Sequence, residues 1–146
     1  MALIPGIESS GAALNAERQR LNVIAGNIAN ANTTRDANGQ VYRRQQVVFE
    51  SVMTEAAVGL SGDKNVDQSI PMVRVRAVEA DQRPLKPVYQ PGHPDADSNG
   101  MVLMPNVNVA EEMVDMITAS RAIEANVQVI TTAKQMVQRA LEIGKR

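Results

Sequence analysis

One stretch of the chain carries the residue types of a cation site. Asp95-Ala96-Asp97-Ser98-Asn99-Gly100 matches the first six positions of an EF-hand calcium loop, D-x-[DN]-x-[DN]-G. Carboxylate and amide oxygens at alternate positions can surround a hard cation, and the glycine permits the sharp turn. The match then stops: the twelfth position is Asn106 instead of a bidentate glutamate, and no helix precedes the loop. The same residues also make a tight turn closed by Asx side chains and glycine. His93 could join Asp95 and Asp97 as a chelating group, so a small metal-binding module centred on residues 91–100 is the alternative to a structural reading. His93 is the single histidine, there is no cysteine, and no serine lies in a G-x-S-x-G context. We assign no catalytic residue, no metal ligand and no cofactor, and expect a protein that is not an enzyme.

Composition narrows the partners. Aromatic residues make up 2% of the 146 residues and tryptophan is absent, which removes the stacking platforms of single-stranded nucleic-acid binders. Net charge is −1, and no lysine or arginine block could track a phosphate backbone. Nucleic acid is therefore excluded as a partner. Arg43-Arg44 and the arginines of Val73-Arg74-Val75-Arg76 are local positive clusters, read as solvated strand faces or as contacts to acidic subunits or cell-wall polymer. No run of 18 apolar residues is present, so no transmembrane segment is expected. The N-terminus lacks a basic start and a continuous apolar region, so a cleaved signal peptide is not expected either.

The elements that must carry these residues follow from periodicity. Ile7, Leu14, Leu21 and Ile28 recur every seven residues, with Ile24 widening the stripe; Val109, Met116, Ile123, Ile130 and Val137 do the same near the end. The spacing predicts helices over about Ile7–Asn32 and Val109–Ile143. Met113, Val127 and Leu141 are read as the second apolar position of the closing helix. Asn108 with Glu111 forms a capping-box signature at its start. The opening segment has weak helix propensity, because Gly11, Gly26 and five asparagines each cost a few tenths to about 1 kcal/mol relative to alanine. It is expected to be largely disordered alone and to order on assembly.

Between the helices, Asp36-Ala37-Asn38-Gly39 is a turn signal. Val41–Phe49 reads as strand, followed by a short helical or irregular piece over 50–58 and a loop over 59–67. Val73–Ala77 alternates as a half-buried strand. Leu85–Tyr89 is a shorter strand confined to an edge by Pro84 and Pro87, and Met101–Met104 is one more. The expected fold class is α+β: long terminal helices paired in a coiled-coil-like α domain (1–32 plus 107–146), with a small β-rich middle segment (33–106).

Asn22-Val23-Ile24-Ala25-Gly26-Asn27-Ile28-Ala29-Asn30-Ala31-Asn32-Thr33 resembles the N-terminal signature of bacterial flagellar axial proteins, the rod and hook family. The run Glu112–Asn126 is similar to that family's C-terminal signature. The central Pro91–Gly100 stretch, followed by Met104-Pro105-Asn106-Val107-Asn108, is similar to one short rod member. The family usually has tyrosine where Ile123 stands and an aromatic where Met101 stands. The resemblance implies terminal helices that form an inner tube around a channel, with the β-rich middle outside. It implies a structural subunit of the proximal rod of the basal body, in the periplasm, self-assembling after unfolded type III export. Implied partners are copies of itself, other proximal rod subunits, the rod–ring junction protein and the export apparatus; another flagellar axial subunit is the nearer alternative. Residues expected at subunit packing are Ile7, Leu14, Leu21, Ile24, Asn27, Ile28, Asn30, Val109, Met113, Met116, Ile123, Val127, Ile130 and Val137. The asparagines of the first helix are expected to offer amide hydrogen bonds across subunits.

Overall fold

In the computed structural model, the described residues are 3–36, 39–55 and 69–144. Helix α1 spans Leu3–Ala29 and helix α2 spans Val109–Gly144; between them lie β1 (Gln45–Glu55), β2 (Ser69–Ala80), β3 (Lys86–Tyr89) and β4 (Met101–Met104). This is the α+β arrangement the periodicity predicts. β1 and β2 form one antiparallel pair, β3 and β4 another. The expected helical or irregular piece after Phe49 is instead strand, because β1 continues through Glu55 in register with β2, with an irregularity between Val48 and Phe49. Val41–Arg44 lies outside the strand. The expected loop over 59–67, and the end of that piece at 56–58, lie outside the described residues.

α1 is the central element. It packs against α2 and also against β1 and β2, whereas neither strand packs on α2. The hairpin therefore lies along α1. Asn27 touches Gln45 at one end, and the Ser9 hydroxyl donates to the Pro71 carbonyl at 3.3 Å at the other. The helical rise from Ser9 to Asn27 is about 27 Å, and the strand from Gln45 to Met53, the partner of Pro71, covers roughly 26 Å. The two lengths match, so the hairpin can follow the helix over that span. The weak α1 segment thus finds two packing partners inside its own chain, α2 and the hairpin.

The α1–α2 seam uses smaller residues than the periodicity suggests. Its buried positions on α2 are Glu112, Ala119 and Ala133, with Met116, Ile123 and Ile130 half-buried beside them. Met113 and Val127, expected at the second apolar position, lie beside the seam and remain 55% and 48% exposed, and Leu141 is 63% exposed in a stretch, residues 134–144, with no buried side chain. The alanines leave no bulk between the helices, so the larger side chains pack at their flank.

The ends of both helices are capped by asparagine. Asn108 Oδ1 accepts from the Ala110 N–H at 3.2 Å, and its amide donates to the Glu111 carboxylate at 3.0 Å. Glu111 thus faces the cap side chain in place of the backbone bond of a full capping box. Asn30 at the C-terminus of α1 donates its side-chain amide to the Gly26 carbonyl at 2.9 Å, adding to the Asn30 backbone N–H bond that the same oxygen accepts at 3.1 Å.

Candidate functional site

The stretch that resembles a cation loop is a closed turn. Asp97 Oδ1 accepts from the backbone N–H of Asn99 at 2.8 Å and of Met101 at 2.9 Å. Asp95 is engaged by Arg35 at 2.6 Å and by the Thr34 hydroxyl at 2.7 Å. His93 Nδ1 accepts from the Asp95 N–H at 3.1 Å. Gly100 has a φ of 75°, and a Cβ there would lie 2.9 Å from the Tyr89 ring and 3.1 Å from Pro91, so glycine is needed for the turn itself. Among the described residues no three acidic, histidine or cysteine side chains are grouped as a metal would need. The loop is a staple between residues 34–35 and the β3–β4 pair.

The densest chemistry lies elsewhere, in a buried polar node where α1, the approach to β1 and the first turn of α2 meet. Glu112 is 0% exposed and Asn27 1%. The Asn27 amide donates to Glu112 Oε2 and to the Gln45 carbonyl, both at 2.8 Å. Its oxygen accepts from the Gln45 N–H at 2.8 Å and the Tyr42 hydroxyl at 2.9 Å. All four hydrogen-bonding positions of that amide are filled. Arg44 Nε donates to Glu112 Oε1 at 2.6 Å, and its other nitrogens reach Asp81 at 3.6 Å and Asp115 at 3.4 Å. Asn106 accepts the Arg44 backbone N–H at 2.8 Å and donates to the carbonyls of Asp81 at 3.3 Å and Arg83 at 3.0 Å. A glutamate at 106 could not donate these two bonds when ionised, which explains why this position departs from a calcium loop.

Electrostatics follow the geometry. The Arg83 backbone N–H holds the Asp81 carboxyl below its usual value against the opposing effect of burial, and the Arg83 and Arg44 guanidiniums add to it. Burial first, and the nearby Glu112 charge second, push the Tyr42 phenol up. Tyr42 therefore stays a donor to Asn27. A buried pair such as Arg44–Glu112 gains little over an apolar equivalent, but removing one partner costs about 3–5 kcal/mol because the other charge is left stranded. The node fixes geometry more than it adds stability.

Arg44 does not belong to a solvated strand face, as its sequence context suggests; its side chain is 15% exposed and sits in the node. Across the hairpin, Arg74 pairs with Glu50, its register partner, while Arg76 pairs with Glu79 of its own strand at 3.2 Å. Asn27 spends every bond within the chain, and Asn30 caps α1. Of the remaining residues expected at subunit packing, Ile24 is buried; Ile7, Leu14, Leu21, Ile28, Met116, Ile123 and Ile130 are half-buried; Val109, Met113, Val127 and Val137 are exposed. On the other flank of the seam Val129 and Met136 are about half-exposed. They line an apolar groove of about 310 Å³ with Ile7, Thr132 and Ala133. The node residues Arg44, Asn106 and Glu112 carry no spacing signal, since they come from separate elements. α2 therefore presents apolar rows on both flanks of its packed seam, and no described helix is long and apolar enough to cross a membrane.

Comparison with known proteins finds relatives along nearly the whole chain. A family model described as "Flagella basal body rod protein" matches residues 7–35, and one described as "Flagellar basal body rod FlgEFG protein C-terminal" matches residues 98–143. The flagellar basal-body rod protein FlgC of Salmonella typhimurium is 43% identical over 99% of this chain and its own full length. That of Borreliella burgdorferi is 44% identical over 98% of each chain, and that of Bacillus subtilis 37% identical over 99% of this chain and all of its own. With helices at both ends, a short β-rich middle and this likeness along nearly its whole length, the chain belongs to the FlgC family of flagellar basal-body rod proteins, structural subunits of the rod.

Proposed function

We propose that this rod subunit polymerises through its terminal helices and carries torque along the proximal rod across the periplasm. The observation behind this reading is the set of exposed apolar side chains on α2: Met113, Val127 and Leu141, and, bordering the groove with Ile7, Val129 and Met136. Exposed apolar side chains in ordered rows mark a contact surface. Two flanks allow each helix pair to meet two neighbours, as a closed tube requires. Residues 1–32 and 107–146 would form the inner layer and residues 33–106 the outer one, with the hairpin on the α1 face. Neighbours would be copies of itself, other proximal rod subunits and the rod–ring junction protein, reached after export through the flagellar apparatus without a cleaved signal peptide. Contacts along helices of about 40 and 54 Å spread shear over many side chains, which suits a shaft that transmits torque. The function is structural, not catalytic.

Val127→Asp tests the reading. Val127 is exposed in the single chain, so monomer stability should change by less than about 0.5 kcal/mol, while incorporation into the rod and motility should be lost. Normal motility in that strain would overturn the reading.

A further inference from the structure

Asparagine followed by glycine is the residue pair most open to spontaneous deamidation, because glycine has no side chain to keep its backbone nitrogen away from the preceding side-chain amide. The chain has two such pairs, 38–39 and 99–100. At the second, the Gly100 backbone nitrogen would attack Cγ of Asn99. A C–N bond forms, and the Asn99 side-chain nitrogen leaves as ammonia with the proton that the Gly100 amide gives up. Water then opens the five-membered succinimide at either carbonyl, which yields aspartate or isoaspartate; nothing is oxidised or reduced.

The fold opposes the first step. Asn99 is exposed, but both backbone groups of Gly100 are engaged: its N–H donates to the Asp97 carbonyl at 2.9 Å, and its carbonyl accepts the Gln90 N–H at 2.8 Å. Asp97 Oδ1 holds the N–H groups on either side, those of Asn99 and Met101. The Tyr89 ring and Pro91 crowd Gly100, which leaves the peptide little room to rotate. Around the other pair, the Gly39 N–H donates to the Asp36 carbonyl and the Gln40 N–H to Asp36 Oδ1, both at 3.0 Å, so the same device recurs.

We propose that Asn99 is a deamidation site that the Asp97 turn between β3 and β4 holds closed: it is modified in the open chain and spared in the folded one. Reaction in the native protein has to pass through local opening of the turn, so its rate is scaled by the open population. Isoaspartate carries the main chain through its side-chain carbon and adds one atom to the backbone. The turn cannot then close as it stands, because its bonds to Asp97 Oδ1 depend on the present spacing. The converted fraction therefore records the time a chain has spent unfolded.

Incubation of the full chain in mildly alkaline buffer, with and without guanidinium, followed by peptide mass mapping, tests it. Asn99 should convert at least about tenfold more slowly without denaturant. Equal rates in the two conditions, or no conversion in guanidinium, would overturn the proposal. Asp97→Ala removes the two side-chain bonds that close the turn. It should speed conversion of Asn99 in native buffer by about 5- to 100-fold and leave the rate in guanidinium unchanged. A native rate unaltered by Asp97→Ala would also overturn it. Should Asp97→Ala not fold, the comparison of the unsubstituted chain in the two conditions still decides.

Discussion

Asn27→Asp changes one heavy atom of the side chain and should be among the most damaging substitutions in the molecule. The amide donates to Glu112 Oε2 and to the Gln45 carbonyl at 2.8 Å each. An aspartate can offer neither bond when ionised and would place a carboxylate oxygen against another carboxylate at a position 1% exposed. Losing a donor to a charged acceptor costs about 1.5–3 kcal/mol and a neutral one about 1 kcal/mol, with like-charge repulsion added. We expect a loss of about 3–5 kcal/mol at pH 8. The introduced carboxyl, buried against another carboxylate, would hold its proton more tightly folded than unfolded, so the damage should shrink as pH falls through its raised folded-state value. Urea denaturation of both chains at pH 8 and pH 5 measures this. A loss below about 1 kcal/mol, or one equal at the two pH values, would refute the reasoning.

Asp81 acts in the opposite direction. Its folded carboxyl is held below the usual value, so it contributes stability that is present above the unfolded value of 3.8 and disappears as pH falls through the folded one. Asp81→Asn should flatten the decline in urea midpoint on acidification below about pH 4. Gly100→Ala should cost about 1–2 kcal/mol through the left-handed backbone and the Tyr89 and Pro91 contacts, with amide protection falling first at residues 97–101.

Much of the fold is legible in the sequence because both helices repeat every seven residues and β3 and β4 are bounded by proline and glycine. The hairpin's length is not: Glu50–Glu55 lacks a clean alternation, and its pairing to Ser69–Arg74 comes from a distant part of the chain. Periodicity finds Met116, Ile123 and Ile130 beside the seam but misses Ala119 and Ala133, which pack by being small, while Met113 and Val127 stand out by size. Asparagine misleads in a similar way. Propensity counts Asn27 and Asn30 against the helix, yet Asn30 caps its end and Asn27 satisfies a buried glutamate. Such a node unites separate elements, so no local spacing announces it.

Assembly through α2 requires that its apolar flanks meet solvent in the lone subunit and neighbouring subunits in the rod. The chain has no cysteine, so single replacements Val127→Cys and Met113→Cys can be labelled with a maleimide in both states. Both positions should react readily in the monomer and be at least tenfold slower in purified basal bodies, while Val78→Cys on the hairpin, 48% exposed, serves as the reference for general access. Equal reactivity of the α2 positions before and after assembly would contradict the account.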